Sequence, residues 1–429
     1  MRNNKFRNFI FFWISQSISQ LGSAMTSFAL VIWAYKQTNS AMVVSLMSFC
    51  SYLPYILVSI FAGSFVDQHK KKNVMLVADL VAALCSLFIF INCLNHTLVV
   101  WNVYFVNLII GMMNSFQSPA EQVALGIMAD EKDYKRVSGM SSFSANLSSI
   151  FAPMLAAFFN SFLGLKGVLI IDLATFIFAF VVLCFFIRIP EEIKKDTQGQ
   201  KSIFDGCKEG FRYLIEHKGM WYIILSMACM NFFSRLTYEN ILSPMILARN
   251  GGNDNVLGIV TGIMGFGGVL GGLIISFKEI SKNNVRLIYF SAALSFLFGD
   301  MLMGLGKNVV VWSIAAAAAS LPIPFINAGQ NCIMYKNIPT EVQGRIFAVR
   351  NAIQFSTIPI AIILGGALAD YVFEPFMQSE NVFAGLLRML VGEGNGSGMA
   401  VMFLCTGVLG FITSICWYRN RQIRETDKV

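Results

Sequence analysis

Apolar stretches of roughly 20 residues recur along this chain, at 9 to 34, 41 to 65, 74 to 94, 98 to 118, 138 to 160, 166 to 187, 220 to 247, 256 to 277, 286 to 305, 309 to 330, 345 to 368 and 398 to 418. About 20 mainly apolar residues carry a helix across the hydrocarbon layer of a bilayer. Backbone polar groups find no water there, so each segment must satisfy its own, which selects the helix. The pattern predicts an all-α membrane protein with twelve transmembrane helices. Of the residues, 56% are hydrophobic and only 13% charged, against about 25% charged in soluble globular chains. The lipid bilayer is the expected solvent. The N-terminus MRNNKFRNFIFF is basic and then apolar, like a signal peptide, but the apolar run continues past signal length with no A-x-A site, so it reads as the first span. The loop 369 to 397 has room for an interfacial helix around VFAGLLRML.

The net charge of +8 does not point to nucleic acid, because the basic residues sit in short clusters between apolar runs. Lysine and arginine accumulate in cytoplasmic loops. With both termini inside, almost all of them fall in inside segments, and only Lys36, Lys166, Arg249, Lys307 and Arg388 lie outside. Both termini are therefore expected in the cytoplasm.

Shifting the chain by 209 residues superimposes Gly63 on Gly272, Phe116 on Phe325, Arg136 on Arg345 and the pair Ala156, Ala157 on Gly365, Gly366. Each unit of this repeat holds six spans, an even number, so the copies share one orientation in the membrane. The expected organisation is an N-terminal six-helix half at 1–190, a cytoplasmic linker at 191–218 and a C-terminal six-helix half at 219–429.

Catalytic chemistry has little to work with. His69, His96 and His217 all fall in loops, the cysteines show no C-x-x-C spacing, and no Walker-type phosphate loop occurs. No enzyme activity, metal or cofactor is expected, and neither is the fixed ring of an oligomeric channel.

The second span ends in GSFVDQHKKKNVML. Twelve spans in two parallel halves, a basic central loop and this Gly-x-x-x-Asp followed by cations together resemble the major facilitator superfamily over essentially the whole chain. Gly63, Asp67, Lys71 and Lys72 match that family's loop signature, whereas Gln68 and Lys70 stand where Arg and Gly belong. SSIFAPMLAA resembles the antiporter element of the fifth span, with Ala152, Ala156 and Ala157 replacing glycines around Pro153. The segment from Thr38 to Leu80 and the stretch SPAEQVALGIMADEK look most like the macrolide-efflux group of bacterial drug exporters. The resemblance implies a monomeric transporter of the bacterial plasma membrane, working by alternating access on a small-molecule substrate, with the transmembrane proton gradient as energy source.

Candidate sites follow. Asp67 can pair with Arg136 or cap a helix, contacts that form in one transporter state and break in the other, and Asp79 can serve the same switch with Gly63, Lys71 and Lys72. The three lysines also have a simpler reading as topogenic charge. Ionisable groups inside spans are expensive. Arg235 and Glu239 lie four apart on one helix face, with Asn231 and Tyr238 close by. They read either as a proton-coupling pair, with Glu239 the carrier, or as a structural ion pair. By resemblance the first, fourth, seventh and tenth spans face substrate, which selects Gln16, Gln20, Asn107, Asn114, Gln117, Asn231, Tyr238, Asn327, Gln330 and Asn331 as cavity residues; an amide alone is more often an interhelical hydrogen bond than a ligand contact. Asp172 and Asp300 are expected at the outer interface. The fourth span lacks the arginine that proton-coupled exporters often carry, which moves weight to Arg235 and Glu239. Alternatives are transport of an endogenous siderophore, peptide or lipid, in either direction, and a non-transporting sensor.

Overall fold

A computed structural model describes residues 2–128, 134–187, 189, 203–277, 283–338 and 340–427. Helix is the only repetitive secondary structure among the described residues. The chain forms two compact units. The first comprises Met1–Asn39, Leu46–Thr197 and Asn253–Gly262; the second comprises Ser40–Ser45, Gln198–Gly252 and Ile263–Val429. Each unit thus takes a short segment from the other half of the sequence.

The first unit is built from α1 (Arg2–Thr38), most of α2 (Ala41–Gln68), α3 (Lys71–Leu94), α4 (Val100–Met128) and α5 (Tyr134–Val181). Gly164 interrupts α5 with φ of +64°. Glycine reaches that left-handed region without a Cβ penalty, and the break separates the two spans predicted at 138 to 160 and 166 to 187. The chain continues into a π-helical stretch, Val182–Phe186. Phe9, Phe12, Met75, Leu183 and Ile187 are buried together in one core cluster.

The second unit holds α6 (Ile203–Glu216), α7 (Lys218–Thr237), α8 (Leu242–Arg249), α9 (Asp254–Phe277, its start packed with the first unit), α10 (Asn284–Leu294), α11 (Met301–Leu305), α12 (Val309–Ser320), α13 (Ile323–Asn337), α14 (Thr340–Leu368), α15 (Glu374–Gln378), α16 (Val382–Val391), α17 (Ser397–Arg419) and α18 (Arg421–Thr426). A π-helical stretch, Ser295–Asp300, joins α10 to α11, and another, Ala369–Phe373, joins α14 to α15. The helix expected in the last long loop is α16. It turns Phe383 and Met389 outward at 71% and 79% exposure while burying Ala384 and Val391, the two-sided character of a helix lying in a membrane interface.

Among the described residues nine helical segments are long and apolar enough to cross a membrane. One of them, Asn146–Phe186, contains the Gly164 break and covers two of the twelve predicted spans. The fourth predicted span corresponds to α4, and the seventh, expected unbroken at 220 to 247, is interrupted by a turn at 238–241 between α7 and α8; α4 and α7 dilute their apolar residues with Asn102, Asn107, Asn114, Asn231 and Arg235.

The exchanged segments meet small residues. In the first unit a Cβ added to Gly258 of α9 would stand 2.7 Å from Cβ of Ala157 and 3.0 Å from the Pro153 carbonyl. In the second unit a Cβ on Gly366 would overlap the hydroxyl of Ser45 at the start of α2. Ala152, Ala156 and Ala157 are all buried. Helix backbones approach this closely only where side chains are absent or minimal.

Candidate functional site

Asp79 lies eight residues inside α3, about 12 Å from its start at 1.5 Å per residue. Its side chain is buried at 6% exposure. The Gln117 amide of α4 donates to its Oδ1 at 2.5 Å. One turn along α4, Glu121 accepts from Gln20 of α1 through both oxygens, at 3.1 and 3.0 Å. Glu121 is half-buried and Gln20 exposed, while Gln16, one turn from Gln20 on α1, is buried at 2% exposure. The Gln16 amide is directed at Asp79, and nothing else meets its Nε2 or the Asp79 Oδ2. The two carboxylates lie within electrostatic reach of each other. Sequence reasoning missed Glu121. The fourth span's predicted end at 118 falls beside Pro119, a residue at which helices kink or stop, whereas α4 runs through Pro119 to Met128. A carboxylate two residues past that proline was the available signal.

The charged start of α3 is only partly described. The side chains of Gly63, Asp67 and Arg136 lie outside the described residues, so the Asp67 contact expected from the sequence remains a proposal. Lys71 is buried at 8% exposure. Lys72 donates from Nζ to the carbonyls of Cys184 and Ile187 at 2.9 and 2.8 Å, satisfying oxygens at a helix end that have no partner of their own.

Asp172 and Asp300 do not reach an interface, contrary to expectation; they are 3% and 1% exposed. Asp172 accepts from Ser23 at 3.1 Å and Ser86 at 2.8 Å, and Asp300 accepts from Thr406 at 2.8 Å. Hydroxyls on neighbouring helices take the place of water, so each carboxylate can sit deep.

In the second unit Arg235 and Glu239 form the expected ion pair, with side chains 38% and 20% exposed. Tyr238 packs edge-on to Phe403 with ring centroids 5.2 Å apart, and its hydroxyl is directed at Asp300. Tyr238 is thereby engaged with Phe403 and Asp300; it and Glu239 lie in the turn between α7, which ends at Thr237, and α8, not on one helix with Arg235 as expected. Asn231 is half-buried, Asn327 is exposed, and Gln330 is buried with its Nε2 unpartnered. Asn331 accepts from Arg350 at 2.9 Å. On α4, Asn107 donates to the Met47 carbonyl at 3.2 Å, and Asn114 is exposed.

Carboxylates also organise helix starts. Asp370 accepts from the Ser40 hydroxyl at 2.5 Å and from the amides of Ala41 and Met42 at 3.0 Å each, capping α2 within the second unit. Asp254, in the first unit, pairs with Lys36 at 2.6 Å and accepts from Asn160 at 2.8 Å. Among the described residues no group of three or more His, Cys, Asp or Glu could hold a metal ion.

The sequence profile of the Major Facilitator Superfamily matches residues 12–362. Among the chain's relatives, Macrolide efflux protein A of Streptococcus pyogenes is 26% identical over 374 residues, covering 86% of this chain and 91% of the relative. The Staphyloferrin A transporter of Staphylococcus aureus (strain NCTC 8325 / PS 47) is 20% identical over 376 residues, with 84% and 89% covered. The fold is also that of a bacterial homologue of the iron transporter ferroportin, solved in an inward-facing state, with a TM-score of 0.69 and 11% identity over 97% of this chain and 99% of the other. A profile match across most of the chain, on an all-helical fold rich in membrane-length segments, means that this protein belongs to the major facilitator superfamily and is a membrane transporter rather than an enzyme.

Proposed function

We propose that this protein exports hydrophobic or amphipathic compounds of the macrolide class from the cytoplasm by alternating access, in exchange for protons. It acts in the plasma membrane with both termini in the cytoplasm. The observation that carries the reading is the likeness to Macrolide efflux protein A along nearly the whole of both chains. Proton exchange draws support from carboxyl groups held inside membrane-length helices, where ionisable side chains are rare and tend to serve transport. In this reading Glu239 exchanges its Arg235 partner for a proton during the cycle. Gly63, Asp67, Lys71, Lys72 and Arg136 form the conformational switch, and the amides of α1, α4 and α13 contribute to substrate contact.

A second reading, carriage of a siderophore, rests on the similarity to the Staphyloferrin A transporter. Expression in an efflux-deficient bacterial host separates the two. Cells carrying the protein should accumulate less of a radiolabelled macrolide than cells without it, and a protonophore should abolish the difference. Equal macrolide accumulation, with export of staphyloferrin A instead, would favour the second reading.

A further inference from the structure

We propose that Asp79 and Glu121 form a proton-binding site in the first unit, walled by the amides of Gln16, Gln20 and Gln117. The site deepens the proton-exchange reading and rests on it for its role in transport.

Two features of the geometry carry the assignment. The first is the kind of partner supplied. Among the described residues no lysine or arginine forms an ion pair with either carboxylate; Gln117 donates to Asp79 and Gln20 to Glu121. A fixed cation would favour the ionised carboxylate alone. A glutamine amide carries both donors and an acceptor, so by turning over it serves an ionised carboxylate through Nε2 and a protonated acid through Oε1. The second feature is the Gln16 amide, buried and directed at the Asp79 carboxylate. It can donate through Nε2 to the ionised carboxylate and, turned over, accept through Oε1 from a proton on Oδ2.

The other buried aspartates have different partners. Asp172 has each oxygen engaged by a serine, Asp254 is paired with Lys36, and Asp300 is engaged by Thr406 with the Tyr238 hydroxyl directed at it. Among the described residues the charges around the cluster are few. On α3 itself, Lys71 and Lys72 lie two turns away, with Lys72 engaged on the Cys184 and Ile187 carbonyls. The described face of α1 brings Gln16 and Gln20, and α4 brings Gln117 and Glu121. From α5 comes Asp172, held by Ser86 two turns further along α3.

Glu121 supplies the entry. It is half-exposed beside the exposed Gln20. A carboxylate within a membrane protein's helix faces the bundle interior or a water-filled cavity rather than lipid. A proton is taken up from water by the Glu121 carboxylate and passes to Asp79, whose acid form is neutral; release reverses the path, and no other group of this cluster changes charge.

The test is an infrared titration of the purified full-length protein in lipid, following the carbonyl stretch of protonated carboxyl groups from mildly acidic to mildly alkaline pH. Wild type should show a titrating band that is absent in Asp79→Asn and displaced in its midpoint in Glu121→Gln. Gln117→Leu, which keeps both carboxylates, should also displace the midpoint and guards against a folding defect in the other two. In proteoliposomes the ratio of erythromycin uptake with and without an imposed gradient of about one pH unit, worth about tenfold per proton, should fall in Asp79→Asn toward the ratio of protein-free liposomes. A band unchanged in Asp79→Asn and Glu121→Gln overturns the site, and so does a band moved by sodium at constant pH, which would make it a sodium site. If the band behaves as expected and erythromycin does not move, the proposed substrate class fails while the site stands. If erythromycin follows the gradient equally in all variants and above the protein-free level, the site fails and the transport reading stands.

Discussion

Lys70 and Lys72 stand two residues apart at the start of α3 and differ in what they touch. Lys70 is exposed, whereas Lys72 reaches two carbonyls at the end of the π-helical stretch after α5. Lys72→Met keeps the apolar stem and removes the donor, so it should destabilise the protein by about 1–3 kcal/mol. Lys70→Met should stay within about 0.5 kcal/mol. Chemical denaturation in detergent, comparing the two, checks this. At Asp172 the prediction is smaller. Ser86→Ala removes one of two hydroxyl donors and should cost roughly 0.6–2 kcal/mol, the range of interhelical hydrogen bonds in membranes, again read from the denaturation midpoint. These residues also mark what was hidden from the sequence. Depth along a helix could be counted for Asp172 and Asp300, but the direction each faces depends on neighbouring helices, so an interface was expected where serine and threonine hydroxyls supply the contacts. Arg235 and Glu239 were legible because only four residues of chain separate them, which keeps them within reach even though α7 ends at Thr237 and Glu239 sits in the following turn.

At the scale of elements, small residues and helix caps join the exchanged segments to their units. Asp370 accepts three hydrogen bonds at the start of α2, where a negative charge also suits the helix dipole. Asp370→Ala should cost about 0.5–2 kcal/mol and speed hydrogen exchange at Ala41 and Met42 specifically. Gly366→Ala should destabilise more, because its Cβ would overlap Ser45. Adding Ser45→Gly to that variant should recover part of the loss, and an absence of recovery would contradict the packing described. The internal repeat already paired Ala156 and Ala157 with Gly365 and Gly366, and both pairs lie where helices approach closely. Proline and glycine were harder to read. Pro119 lies inside α4, and the continuation hid Glu121; Gly164 breaks α5 between two apolar runs that the sequence had already separated. A proline can be carried within a membrane helix when neighbouring groups re-satisfy the backbone, a condition set by tertiary structure.

At the scale of the whole molecule, the class of fold was legible because the bilayer imposes length, apolarity and charge sidedness on every span, and 429 residues repeat those constraints many times. The substrate was not legible in the same way. Recognition of a bulky apolar compound is shared among many adaptable side chains, and none of the amides on α1, α4 or α13 defines it alone. Energy coupling is intermediate between the two: intramembrane carboxylates stand out by their cost, but their partners emerge only in three dimensions. The most direct measurement is erythromycin uptake into proteoliposomes of the purified protein with an acidic lumen, set against protein-free liposomes that report passive trapping of the drug. Accumulation above the protein-free level that rises with the imposed gradient and collapses on adding a protonophore is the expected result. Accumulation equal to that of protein-free liposomes, or independent of the gradient, would contradict proton-driven macrolide export.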